Sequence, residues 1–569
     1  CHVLLIVSAR SEELPPNHPL RRLDTQAHLH MAPFSPAEIR QLAESMAGPL
    51  PDEAIDVVRE LSGGSPFMAS AVLYGLFESR ALVADRDGWR VEPLAIANLQ
   101  SSSQAGSFLT HRLELLPSRT IELLSSGAVI GKEFDLAFAA TLARQTPSQS
   151  IAALDEARAR HMVWVRANGF QCVFVHDKIR EALLARLPTA QRLELHHRAA
   201  LHLRAHSPSR VSDLAYHFDA AGDSAQALPY ALEAARQARQ RHALQIAEQQ
   251  YRIAQRGTAS ASKAVRFQIV EGLGDVLMLM GRYDAAQELF EEAAQLAEGR
   301  VAGAQILGKL GELSHKRGAI KRAIEYYEAA LRALGQTIPR ADILSLPLLA
   351  RELWVQLLHT LFPRIFVHRC KRPPSEIELL TVRLFNRLTL AYWYGRTTYV
   401  TLWAHLREIN LAERYPPTLE LAHAYSEHAP AMGVISGFSR GLISGFQRGI
   451  TYAHKSLEIR KAFGDLWGQG QSLHYSGVLL YMESRYAECI DACREAIRLL
   501  ERTGDYWEVH TARYQIAASL YHLGDLQGAM REAQRNYRSG LELGDEQASG
   551  IILDVWSRAA GGAIPREIV

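Results

Sequence analysis

Gly464-Asp465-Leu466-Trp467 recurs as Gly504-Asp505-Tyr506-Trp507, and Gly544-Asp545 opens a third copy, forty residues apart each time. In the same frame Leu480-Tyr481 aligns with Leu520-Tyr521, and Ser484 with Gly524. A fixed period of this length argues against one globular core. Each unit is a helical hairpin that buries its apolar face only by stacking on the next. The pattern extends upstream. Leu273-Gly274, Leu277, Gly281, Tyr283, Ala286, Phe290 and Ala293 are answered thirty-seven residues later by Leu310-Gly311, Gly318, Ile320, Ala323, Tyr327 and Ala330. Small residues at Gly274 and Ala286 let two antiparallel helices approach, and Gly281 supplies the tight turn between them. Tyr283 and Phe290 are then expected to fill the gap toward the neighbouring hairpin. Leu214-Ala215, Gly222, Ala227, Ala231 and Ala234 fit an earlier unit.

In their Leu-Gly, Gly-Tyr, Ala, Phe, Ala order these positions resemble the tetratricopeptide repeat. The resemblance places such repeats over 206–335 and looser ones over 421–569. Between them, over 336–420, Pro339, Pro347, Pro363, Pro373 and Pro374 interrupt the pattern. Irregular helical hairpins are expected there, with Trp354, Phe362, Phe366 and Trp393 packed as repeat core rather than lining a ligand cage. Cys489 and Cys493, one turn apart with no partner motif nearby, are expected in the core as well.

Composition narrows the function classes. The 63 basic and 61 acidic residues nearly cancel, giving a formal charge of +2, which argues against a general nucleic-acid binder. No apolar run approaches the ~18 residues needed to cross a bilayer, and five scattered cysteines suit a reducing, cytoplasmic setting. There is no His-Glu-x-x-His helix, Cys-x-x-Cys pair or Gly-x-Ser-x-Gly elbow, so neither a metal nor a catalytic residue is expected. His196-His197 sit in a polar helical stretch and are expected on a solvated face.

The first 205 residues differ in kind. Cys1 to Arg10 reads as a buried strand met without its sheet, as in a chain cut within a larger domain. Ser35-Pro36 starts a helix. A second helix, 52–61, ends at Gly63-Gly64-Ser65-Pro66-Phe67. A helix opening behind such a turn presents N–H groups to an anion, although Gly-rich helix breaks are common and these residues alone favour a plain interhelix turn. Over 105–205, helices are followed by two β-runs joined through Ala167-Asn168-Gly169, a winged-helix arrangement, and then by His176-Asp177 at a helix start. The segment a DNA-reading wing would present, 146–160, pairs Arg158 and Arg160 with Asp155 and Glu156, too little charge for phosphate contact.

This order of parts resembles the STAND class of signalling ATPases, related to the AAA+ fold, and within it the large bacterial multidomain regulators and sensor kinases that carry tetratricopeptide repeats. The resemblance implies a mainly α chain with a residual α/β NTPase edge (1–33), a helical lid (34–104), a winged helix (105–205) and an α-solenoid of tetratricopeptide-type hairpins. It implies that Arg10 is the sensor residue near the nucleotide γ-phosphate. Gly64, Ser65 and Pro66 would form the lid motif on the adenine, and His176 with Asp177 the motif that holds ADP. No Gly-x-x-x-x-Gly-Lys-Ser/Thr loop occurs, so the chain is expected to be a fragment without its phosphate-binding core, inactive alone. ATP or ADP with Mg²⁺ belongs to the intact parent protein. The implied function is nucleotide-switched signal transduction: a partner or inducer binds the repeats and controls an output outside this chain, a kinase, cyclase or transcription factor. A nucleotide-dependent oligomer would fit, and nucleic-acid or membrane binding through this chain would not. The alternative is a non-enzymatic scaffold for protein–protein interaction.

Overall fold

A computed structural model describes residues 29, 31–78, 80–85, 88–92, 112–166, 170–436, 445–543 and 545–564. The chain divides into two compact units, 1–227 and 228–569. Arg10 and nearly all of the expected NTPase edge lie outside the described residues.

In the first unit the helix Pro36–Ala47 opens as its sequence predicts, with a Ser35–Glu38 capping box and Pro36 in its first turn. It packs with Asp52–Ser62 and Pro66–Glu78 around Ile55, Val58, Val72 and Leu73. A two-stranded hairpin follows, β1 (Leu82–Asp85) antiparallel to β2 (Gly88–Val91). The sequence reading placed only helices there. Its Trp89 indole donates to the Ala47 carbonyl at 2.7 Å.

Further on, helices Ser118–Ile130, Leu136–Ala143 and Pro147–Ala159 surround a three-stranded antiparallel sheet. Its strands are β3 (Glu133–Asp135), β4 (Val163–Val165) and β5 (Gln171–Phe174), in the order β3-β5-β4. Phe134, Phe174, Leu123 and Leu154 form its core. Helix Ser118–Ile130 runs to Ile130, and Gly131 ends it. One expectation fails outright. His196 is buried, its Nδ1 lying 3.0 Å from Nδ1 of buried His217. Alanines on the same face of its helix, Ala199 and Ala200, pull that face inward.

The second unit is a succession of helical hairpins. Lys263–Leu279 pairs with Tyr283–Leu296, and Gly299–Lys316 with Ile320–Ala333. Gly281 and Gly318 turn at φ +76° and +75°. A Cβ on Gly274 would stand 2.7 Å from the Phe290 ring, and one on Gly311 would stand 2.6 Å from Tyr327. These aromatics therefore fill the seam inside their own hairpin, not the gap toward the next one.

In the C-terminal repeats the first two Gly-Asp marks are turns followed by helix starts, and Asp545 of the third also opens a helix. Gly464 and Gly504 adopt φ of +68° and +76°, while Asp465 and Asp545 cap Leu466–Met482 and Glu546–Ala559. Ser484 is left-handed at φ +62°, as its frame partner Gly524 is at +83°. Cys489 and Cys493 are fully buried as expected.

Between 336 and 420 the prolines fall in connecting segments or first helical turns, leaving Glu376–Gly395 and Thr398–Ala412 as long, regular helices. Leu384, Phe385, Leu388, Trp403 and Ile409 tie them into the array's core. The aromatics expected there do not all pack: Trp354 and Trp393 are each 62% exposed.

Candidate functional site

Two places gather chemistry. In the first unit, helix Asp52–Ser62 stops because Gly63 and Gly64 take φ of +55° and +80°. A Cβ on Gly64 would meet the Pro33 Cβ at 2.8 Å, and the Gly64 carbonyl accepts the Phe34 N–H at 2.8 Å. The Ser65 hydroxyl accepts the Met68 N–H at 3.4 Å, and Pro66 opens the next helix. Phe67 then lays its ring on His176, centroids 3.8 Å apart and planes within 10°.

His176 caps the helix Asp177–Arg186. Its Nδ1 accepts the Lys178 N–H at 3.1 Å, which leaves the proton of a neutral imidazole on Nε2. The Asp177 carboxylate lies 3.2 Å from Lys132 Nζ. The structure thus joins the Gly64-Ser65-Pro66 turn to His176-Asp177 through Phe67, a residue the sequence reading quoted without giving it a role. Through Asp177, Lys132 is held at the start of the same helix that His176 caps. Gly64, Ser65 and Pro66 shape the turn, with their polar atoms used within it.

The second place was not anticipated. Within the second unit a cavity of about 610 Å³ opens among hairpins. Trp393, Tyr394, Tyr475, Trp507 and Tyr514 supply aromatic walls, and Leu390, Val478 and Met482 add aliphatic surface. Such a volume falls in the range of small-molecule sites, which are mostly apolar with a few placed polar groups.

The polar groups are mainly histidines and carboxylates. His315 is 5% exposed, and neither ring nitrogen has a hydrogen-bond partner. Burial pushes it down to about 4, reinforced by Arg387 and Lys316, so it is neutral and offers one donor and one acceptor. His510 Nδ1 pairs with Asp545 at 2.9 Å. The Glu508 carboxylate accepts from Gln471 at 2.9 Å and lies 3.8 Å from His474. Burial alone would raise Glu508, yet His474, Gln471 and Lys316 together hold it below its ordinary value.

Beneath this wall Glu312 pairs with Arg387 at 3.3 Å and Lys316 with Asp505 at 3.8 Å. The Lys316 ammonium also sits over the Trp507 ring, 5.1 Å from its centroid. One signal was available in the sequence: Trp467 and Trp507 hold equivalent repeat positions. Which of them faces a cavity depends on hairpins distant in sequence, which the repeat frame does not specify.

Comparison with known proteins bears on the array. Residues 266–336 match the tetratricopeptide repeat family. No curated protein matches the sequence. Among solved structures, the chain is similar to a Signal Transduction ATPase with Numerous Domains (STAND) protein with a tetratricopeptide repeat sensor from Pyrococcus horikoshii. That match has 12% identity, covers 93% of this chain and 69% of the other, and has a TM-score of 0.41. It is also similar to a Rap protein complexed with competence and sporulation factor, at 9% identity over 66% of this chain and 94% of the other, TM-score 0.35. No described helix is long and apolar enough to cross a membrane. Residues 266–336 thus carry a tetratricopeptide repeat within a mainly helical chain of stacked hairpins.

Proposed function

We propose that this chain is the sensing arm of a nucleotide-switched signalling protein, with the inducer bound in the array and the output outside the chain. The cavity carries this reading. A cavity with five aromatic rings in its wall and a buried histidine with two unpartnered nitrogens beside Tyr394 and Trp507 is a costly arrangement for a passive spacer, because an unpaired buried polar group lowers stability by about 1–3 kcal/mol. A small ligand with an apolar body and one hydrogen-bonding group would fill the space and satisfy His315. Ligand binding then biases a two-state element, as allosteric control requires.

The nucleotide half of the reading rests on the Phe67–His176 stack. With ADP bound, His176 Nε2 and Lys132 would face phosphate, and the Gly64-Ser65-Pro66 turn would carry Phe67 against the imidazole. The nucleotide would supply negative charge that holds these two elements closed. In a protein that also provides the phosphate-binding core, His176→Ala should weaken ADP retention roughly tenfold, the worth of one lost charge-assisted hydrogen bond, and should raise basal output. Equal ADP affinity in the two proteins would remove His176 from the nucleotide site.

A second reading, a scaffold for a protein partner, is favoured by one feature. Helix Ser345–Leu361 and the residue after it expose Leu346, Leu353, Trp354, Leu357, Leu361 and Phe362.

A further inference from the structure

His405 and Glu408 stand one turn apart on the helix Thr398–Ala412, and Glu427 reaches them from Leu419–Ser436. One ring nitrogen of His405 and one carboxylate oxygen from each glutamate lie within 4.8 Å of one another. Asn386 spans the two acids, its amide donating to Glu408 at 3.1 Å and to Glu427 at 2.5 Å. Glu408 is completely buried, yet its Oε2 has no hydrogen-bond partner. Among the described residues neither acid has a Lys or Arg at ion-pair distance, although His423 lies 3.5 Å from Glu427. Two facing carboxylates without a cation, Glu408 buried and Glu427 partly so, are unfavourable, since burial and mutual repulsion both oppose their charge.

We propose that His405, Glu408 and Glu427 bind a divalent first-row transition-metal ion at the wall of the cavity. One imidazole and two carboxylates form a borderline-to-hard donor set that suits Mn²⁺ through Zn²⁺. Ca²⁺ would require more oxygen ligands than this cluster offers. His405 and Glu427 line the cavity, which gives the ion a route in and leaves room for water or ligand in its remaining positions. Outer partners are in place: Asn386 fixes both carboxylates, and His428 Nδ1 lies 2.8 Å from His405 Nε2. The His-x-x-Glu spacing puts two donors on one helical face, and the third comes from the next helix, as in metal sites built inside bundles. The bound ion would tie Thr398–Ala412 to Leu419–Ser436, and through Asn386 to Glu376–Gly395. This inference is independent of the nucleotide switch.

The test uses Co²⁺ alone, added to the EDTA-stripped chain and followed by its visible absorption and by equilibrium dialysis. The wild type should hold one tight equivalent per chain. Glu408→Gln, which keeps the shape and removes the charge, should bind that equivalent at least about tenfold more weakly. His405→Gln serves as a second ligand variant, and circular dichroism verifies the fold of each. The surface pair His202 and His206, stacked at 4.2 Å, is a competing chelator, so His202→Gln/His206→Gln must retain the tight equivalent. The proposal is overturned if no tight equivalent binds, if a folded Glu408→Gln or His405→Gln variant binds like wild type, or if the His202/His206 variant loses it.

Discussion

Moving from pH 7.5 to pH 5 should destabilise this protein by several kcal/mol, because it folds around histidines that must stay neutral. His196, His217 and His315 are each pushed down to about 4, chiefly by burial. His405 and His428 shift in the same direction. A group whose folded pKa lies below its unfolded value of ~6.5 contributes stability fully present above that value, and loses it as pH falls toward the folded pKa. At pH 5 such a histidine forfeits about 1.5 pH units of linkage, or ~2 kcal/mol.

His196 and His217 share one hydrogen bond, so they count together, and His315 adds separately. Glu312 and Glu508, held low against burial by neighbouring cations and donors, act in the same direction at lower pH. Glu408 and Glu271, raised by burial and by a neighbouring acid, act the other way. The net of ~3–4 kcal/mol is large against a domain stability of 5–15. Urea midpoints at the two pH values measure it, and His315→Phe should shrink the difference by about 2 kcal/mol. Equal midpoints, or an unchanged pH dependence in His315→Phe, would contradict the assignment of these groups as neutral.

Gly311→Ala should destabilise the array, although alanine normally favours a helix over glycine by up to ~1 kcal/mol. Its Cβ would stand 2.6 Å from the Tyr327 ring, which is 1% exposed and packed in the array's core. Overpacking of this kind costs about 1–3 kcal/mol, so the steric effect should win. Tyr327→Ala should cost about 3–5 kcal/mol by leaving a cavity at the same seam.

Gly303 gives the control. It lies on the same helix with nothing near its missing Cβ, and Gly303→Ala should be neutral or stabilising. Denaturation of the single variants Gly311→Ala and Tyr327→Leu and of the Gly311→Ala/Tyr327→Leu pair gives the coupling. A smaller side chain at 327 should recover part of the Gly311→Ala loss. Strict additivity would mean that the two residues do not share a seam.

This seam was legible only in part, because the small residues were marked while the aromatics were expected to fill the gap toward the next hairpin. Gly311 and Tyr327 are sixteen residues apart within one repeat, and their small–large pairing is a local rule of hairpin packing. The Gly-Asp marks are also local, a left-handed turn followed by a cap, which is why Ser484 was correctly aligned with Gly524. His176-Asp177 could be placed at a helix start because a strand pattern runs directly into it. The β1–β2 hairpin was not anticipated, because two four-residue strands leave little alternation to detect. The cavity was not legible either. Trp393, His315 and Trp507 meet across nearly two hundred residues, and periodicity marks which face of a helix is buried without marking where successive hairpins fail to close. The burial of His196 has the same origin, since its partner His217 lies on the following helix.

The claim that the array is a ligand sensor is tested most directly by titrating the chain with N-phenyl-1-naphthylamine, a neutral apolar dye, and following energy transfer from Trp393 and Trp507. One dye per chain should bind, and an Ala431→Phe/Val478→Phe variant, which fills the cavity from two walls, should abolish binding while keeping the helical circular dichroism of wild type. No saturable binding by wild type, or equal binding by the filled variant, would contradict a ligand-sensing cavity and leave the array as a scaffold.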